Sequence, residues 1–270
     1  MRILHVTDAY AAGVKQYIDN LAQKQVQQGN EVHVLALTRR DVSFDLRPNF
    51  RSFHLKIYGR NSIPNILKLT FKLVLVANNF DYIHLHSSRF GLIGRFISLF
   101  RKKTKYFYTP HGYAHLRKDI GQLQRKIYHK IESLTGQISG VKTLAVGTNE
   151  FEETRSLGLD NVDILRALIN IPNELVKLQR FKQNTRPKIA YLCRNSPAKD
   201  PAYFLKLAKL NSDIADFFWI GANTSEFEDA EISNYVCLLG QLDHEEALKA
   251  LDRFDVLVVT SLWEVSQSML

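Results

Sequence analysis

Five short stretches carry side chains from which a reaction site can be assembled. In "YTPHGYAH", Pro110 and Gly112 flank His111 where an apolar strand ends and the chain must turn. That puts an imidazole at the carboxyl edge of a sheet, placed to donate to a substrate hydroxyl and titrating near neutrality. In "AYLCRNSPAKDPAYFLKLAK", Arg194 and Lys199 sit in a loop between a strand and a helix. Two cations beside a helix N-terminus can hold a diphosphate without a metal; the alternative is a solvated basic loop. In "SLWEVSQSML", Glu264 follows an apolar strand, where its carboxylate can accept from sugar hydroxyls or serve solubility alone.

The other two stretches are looser. "TDAYAAGVKQ" offers Ala11, Ala12 and Gly13, small enough for backbone N–H groups at a helix start to approach an anion, or for a plain strand-to-helix turn. The dinucleotide fingerprint G-x-G-x-x-G is absent, which argues against a nicotinamide enzyme. In "IHLHSSRFGLIGR", His84 and His86 share one face of a strand, as ligands or as satisfied core residues. Gly91 and Gly94 permit close helix packing.

The elements that must position these residues alternate along the whole chain. "MRILHV" leads into a helix with apolar Val14, Tyr17, Ile18, Leu21, Ala22 and Val26, and Gly29 stops it before "EVHVLAL". Strands are predicted at "DYIHLHS", "TKYFYTP" and "KTLAVGT", with helices around 64–78, 89–101, 120–138 and 149–157. A second series follows Pro187: "KIAYLC", a helix near 201–210, "DFFWIG", "YVCLLG", a helix near 244–253 and "DVLVVTS". Apolar strands between helices predict parallel sheets covered on both faces. The fold class is α/β, with two doubly wound Rossmann-like domains: residues 1–169, a polar, proline-bearing linker at 170–187, and 188–270. Ligands of such sheets bind beyond the carboxyl ends of the strands.

Composition narrows the classes. Hydrophobic residues at 45% and charged ones at 23% suit a folded chain rather than a disordered one. Cys193 and Cys237, each in an apolar run, read as buried thiols in a reducing compartment. No signal peptide or membrane-spanning run is visible, so a cytoplasmic location is expected. Residues 1–160 hold 24 Lys and Arg against 12 Asp and Glu, whereas the remainder holds 12 against 15. The first domain is therefore expected to meet something anionic. Lys102, Lys103 and Lys105 of "LFRKKTKYFY", with the amphipathic "NILKLTFKLVLV", suit an anionic membrane surface, each cation contributing about 1 kcal/mol there. Nucleic acid fits less well, since the aromatics fall mainly in strands rather than on a basic stacking platform.

In order and spacing, "AAGVKQYIDNLAQ", "GNEVHVL", "DYIHLHSSRFGLIGR", "TPHGYAH", "CRNSPAKDP" and "DVLVVTSLWE" resemble the family 4 retaining glycosyltransferases of GT-B architecture, across essentially the whole chain. The resemblance implies transfer of a sugar from a nucleotide-sugar to a glycan or lipid-linked acceptor, in cell-surface polysaccharide or lipopolysaccharide synthesis. It implies that Gly13 approaches the donor phosphates, that His111 and Glu264 face the transferred sugar, and that Arg194 and Lys199 hold the leaving diphosphate. No metal or other cofactor is expected. The second acid of the family's E-x7-E would fall at position 272, and Val265 stands where the family usually has Gly. A C-terminally truncated second domain with weak or absent turnover is therefore expected. The rival readings are a nucleotide-sugar epimerase of the same architecture and a non-catalytic nucleotide-sugar- or membrane-binding module.

Overall fold

The computed structural model describes residues 1–38, 52–166, 186–223, 232, 234–242 and 244–262. The chain divides into two compact units, the first ending at Ile171 and the second running from Pro172 to Glu264. Most of the expected linker, together with Glu264, lies outside the described residues.

The first unit is a seven-stranded, wholly parallel sheet. Its strands are β1 (Arg2–Thr7), β2 (Glu31–Thr38), β3 (Phe53–Arg60), β4 (Tyr82–His86), β5 (Lys105–Thr109), β6 (Lys142–Ala145) and β7 (Val162–Ile164), in the order β3-β2-β1-β4-β5-β6-β7. The connecting helices are α1 (Ala12–Gln27), α2 (Ile63–Val76), α3 (Ser88–Phe100), α4 (Gln122–Ser139) and α5 (Thr148–Ser156).

Alternation along the strands sorts side chains between two cores. Leu4, Val6, Ile83 and Leu85 pack with Leu69 and Leu73 of α2 and Phe90 and Ile97 of α3. Ile3, Val32, Val34 and Ala36 pack beneath Tyr17, Ile18 and Ala22 of α1. Gly91 and Gly94 let α3 press onto the sheet, since a Cβ at either would run into Tyr108 or Leu85.

The predicted helices and strands are found, and β3 and β7 are added. Both lie at sheet edges. An edge strand tolerates charge and brevity, so β3 carries Lys56 and Arg60, and β7 is only Val-Asp-Ile. Neither has the continuous apolar run that marks a central strand.

The second unit has β8 (Lys188–Leu192), β9 (Asp216–Ile220), β10 (Val236–Leu238) and β11 (Val256–Val258), parallel in the order β10-β9-β8-β11, with α6 (Pro201–Leu210) and α7 (His244–Leu251). Tyr191, Phe204 and Trp219 form its aromatic core, with Tyr191 stacked on Phe204 at 4.3 Å between ring centroids. Cys193 is buried, as expected, but Cys237 is exposed on edge strand β10, which corrects the expectation of two buried thiols.

Candidate functional site

In each sheet the strand order reverses once, beside β1 and β4 in the first unit and beside β8 in the second. The carboxyl ends of the strands at such a reversal are where open α/β sheets receive ligands. All four non-glycine residues with positive φ among the described residues lie in or at the end of the connections that leave carboxyl ends of strands. They are Ala12 (+47°), Ser87 (+73°), His111 (+51°) and Asp200 (+52°). A left-handed backbone at such residues costs roughly 1–3 kcal/mol and concentrates where function requires it.

The first unit gathers four of its eight histidines near there, on the α1 side of the sheet. His5 of β1 and His84 of β4 are register partners, and Thr7 pairs with His86. Side chains two apart share a face, so these rings meet. His5 Nδ1 lies 3.0 Å from His86 Nε2, and His86 Nδ1 lies 2.9 Å from His111 Nε2. Gln25 of α1 closes the far end, its Oε1 2.8 Å from His5 Nε2. Thr109 Oγ donates to the Leu144 carbonyl, which leaves it to accept from His84 Nε2 at 2.8 Å. Tyr17 meets the His111 ring edge-on at 4.9 Å.

Burial keeps these rings neutral. It lowers His5 to about 4 and His111 to about 3, and it holds His84 and His86 well below the ordinary histidine value, with neighbouring rings adding to the shift. His111 therefore does not titrate near neutrality as its loop position suggested. His5, His84 and His86 bring ring nitrogens within 4.8 Å of one another, a spacing that suits a metal ion. Nitrogens of the same rings also serve Gln25, Thr109 and each other.

The loop that carries His111 is anchored from behind. Buried Glu150, in the first turn of α5, accepts from Gly112 N at 2.9 Å and Val146 N at 2.8 Å. Burial pushes its carboxyl up to about 7, against the pull of those two N–H donors. On the other side of the reversal, buried Asp8 accepts from Ser87 Oγ, from Arg89 Nη1 at 2.7 Å and from Asn61 Nδ2 at 3.2 Å. Sequence reading missed Gln25, His5, Asp8 and Glu150. An acidic residue in a helix's first turn was a legible signal for Glu150; the others come together only through strand register.

Gly13 stands in the first turn of α1, which contains no acidic residue to offset the helix N-terminus. Lys102, Lys103 and Lys105 are exposed at the start of β5, so they lie at the sheet edge opposite His111. Arg125, Lys126 and Lys130 of α4 line a groove with His115 and His129.

In the second unit, Arg194 and Lys199 occupy the loop leaving β8 at the reversal. Burial lowers Lys199 below the usual lysine value; Cys193 opposes this and Arg194 adds to it. The loop is clamped by β11's exit, where Thr260 Oγ donates to the Lys199 carbonyl at 2.7 Å and Leu262 N to the Ala198 carbonyl at 2.9 Å. Asp200 caps α6, accepting from Tyr203 N at 3.3 Å. Gly221 (φ +106°) passes so close that a Cβ would run into the Cys193 carbonyl.

A Klebsiella pneumoniae protein, described as an uncharacterized 41.2 kDa protein in the cps region, is 25% identical over 285 residues, covering 98% of this chain and 75% of its own. The Escherichia coli UDP-Gal:alpha-D-GlcNAc-diphosphoundecaprenol alpha-1,3-galactosyltransferase is 28% identical over 253 residues, covering 81% of this chain and 62% of its own. This chain thus spans three quarters of one relative's length and less than two thirds of the other's. The crystal structure of Anabaena HepE in complex with UDP superposes with a TM-score of 0.70 at 13% identity, over 97% of this chain and 75% of that one. That likeness shows the GT-B fold. The sequence pattern of Glycosyltransferase Family 4 matches residues 11–165, more than half of the chain, and the chain belongs to that family.

Proposed function

We propose that this chain transfers a sugar, with retention of configuration, from a nucleotide-sugar to a lipid-linked or glycan acceptor in cell-surface polysaccharide or lipopolysaccharide assembly. The observation that carries the reading is the clamped loop at the reversal of the second sheet, which presents Arg194 and Lys199 beside the start of α6. The E. coli relative, named for a UDP-sugar and a diphosphoundecaprenol acceptor, supports it. So does the UDP bound by HepE.

As the bond from the sugar to the diphosphate breaks, negative charge grows on the departing oxygens. Arg194, Lys199 and the helix N-terminus offset that charge without a metal ion in this reading. His111, neutral and held by the loop that Glu150 anchors, orients the transferred sugar. Gly13 on the phosphate side and Glu264 on the sugar side keep the roles implied by the family pattern.

The acceptor side is assigned to an anionic membrane surface. Among the described residues no helix is long and apolar enough to cross a membrane. Yet the outer faces of α2 and α4 expose apolar stripes: Ile63, Leu67, Phe71 and Leu75 on one, Leu123, Ile127, Ile131, Leu134 and Ile138 on the other. On α4 only Glu132 and Gly136 are buried. Lys68, Lys72, Arg125, Lys126 and Lys130 flank the stripes. Apolar stripes edged by cations are the signature of a helix lying in a lipid interface. The chain would act peripherally at the inner face of the plasma membrane.

The test is incubation of the chain with radiolabelled UDP-galactose or UDP-glucose and a diphosphoundecaprenyl-linked N-acetylglucosamine, with and without EDTA. Slow lipid-extractable labelling is expected, in keeping with the weak turnover anticipated for this chain, α-linked by NMR, insensitive to EDTA and lost in Arg194→Ala/Lys199→Ala. No transfer together with no saturable UDP binding overturns the reading.

A further inference from the structure

His5, His86 and His111, in line behind Gln25, constrain one another's protons. A neutral imidazole has one N–H and one lone pair. Gln25 Oε1 can only accept, so the proton in its 2.8 Å contact sits on His5 Nε2. His5 Nδ1 is then a lone pair, and the proton in its 3.0 Å contact belongs to His86 Nε2. His86 Nδ1 is in turn a lone pair, and the 2.9 Å contact is filled by His111 Nε2–H. Three neutral rings supply three N–H groups to three contacts, and none is left over. A charge on His5 or His86, whose two nitrogens are both engaged, would set two N–H groups against each other in a buried contact.

Turning the Gln25 amide would reverse every bond. Its NH2 would donate to His5 Nε2, and each ring would pass its proton to the other nitrogen. His111 would then carry its proton on Nδ1. The amide of one glutamine on α1 thus decides whether a histidine reached through two buried rings offers a donor or an acceptor.

We propose that Gln25, acting through His5 and His86, holds His111 as the Nε2–H tautomer, leaving Nδ1 as a bare acceptor at the carboxyl edge of the first sheet. Gln25, His5 and His86 are positioning residues in this arrangement. Resting on the sugar-transfer reading above, the inference gives the site a preference. A neutral sugar donates a hydroxyl to Nδ1, whereas the carboxylate of a uronic acid would set lone pair against lone pair. His111 would then accept from the sugar, the opposite of the donor role its loop position suggested.

Long-range 1H–15N correlation NMR of the imidazole-labelled chain tests this independently of any activity. Nε2–H signals for His5, His86 and His111 are expected, with 15N–15N couplings across the His5–His86 and His86–His111 hydrogen bonds. In Gln25→Leu, a substantial share of His111 should shift to the Nδ1–H tautomer while the backbone spectrum stays that of the folded protein. A wild-type His111 protonated on Nδ1, absent couplings, or an unchanged tautomer in folded Gln25→Leu would each overturn the proposal. So would metal-type shifts of His5, His84 and His86 on addition of zinc at one equivalent. If Gln25→Leu does not fold, the wild-type tautomers and couplings decide. Loss of transfer with an intact relay would refute only the sugar-transfer reading.

Discussion

His86 Nδ1 lies 2.9 Å from His111 Nε2, which joins the buried end of β4 to the loop leaving β5 and makes four neighbouring histidines one electrostatic unit. Their folded-state values lie below the ordinary 6.5, with His5 near 4 and His111 near 3. Between about pH 4.5 and 6 the unfolded chain binds protons that the folded chain does not, so stability rises with pH across that window. Each ring protonated in the unfolded chain and bare in the folded one adds to that slope, at most about 1.4 kcal/mol per pH unit. Urea unfolding at pH 5, 6 and 7 measures it, and His84→Gln should lower the slope by roughly one proton's share.

Glu150 contributes with the opposite sign. Its carboxyl is raised from 4.5 to about 7, so between those values the folded state holds a proton that the unfolded state has released. That contribution is present below pH 4.5 and is lost as pH rises through 7, a slope of about 1 kcal/mol per unit. Glu150→Gln should abolish it. The variant should also lose about 1–3 kcal/mol at neutral pH, because an amide NH2 would face the Gly112 or Val146 N–H. Denaturant titrations of both proteins check the two effects.

Arg95 and Glu132 form a buried ion pair, 1% and 5% exposed, at 2.7 Å between α3 and α4. Arg95 also stacks over Tyr108, which donates to Glu132 Oε1 at 3.1 Å. Truncating one partner strands a buried charge and costs about 3–5 kcal/mol. Glu132→Ala should lower thermal stability by that amount, whereas Arg95→Met/Glu132→Leu should recover much of it. A double variant no better than the single would contradict this account.

Gly221→Ala should damage the second unit alone. The substitution imposes a Cβ at φ +106° against the Cys193 carbonyl, which itself accepts from Trp219 Nε1 at 2.9 Å. A cost of roughly 1–3 kcal/mol follows from the backbone alone. Trp219 fluorescence should report earlier unfolding, and UDP affinity should fall because the loop bearing Arg194 is displaced.

Ile127→Ser/Ile131→Ser should leave folding nearly unchanged, since both residues are exposed on α4. Sedimentation with vesicles containing phosphatidylglycerol should fall several-fold. Wild-type binding that does not depend on anionic lipid would remove the membrane assignment.

The central strands, the helices and the order of the site-bearing loops were determined by the sequence itself. Uninterrupted apolar runs can only be buried in a covered sheet, and Gly29 and Pro187 punctuate them. Edge strands β3 and β7 escaped because an edge does not demand such a run. The tertiary structure decided which side chains meet. His5 and His86 are 81 residues apart, and only the register of β1 on β4 brings their rings into contact. Burial then reversed the titration expected of His111 and raised that of Glu150. Lys102, Lys103 and Lys105 stand at the edge away from His111, because they lie at the start of β5 and the imidazole follows its end. Periodicity encodes the face a residue takes; contact and dielectric depend on what the rest of the chain brings to that face.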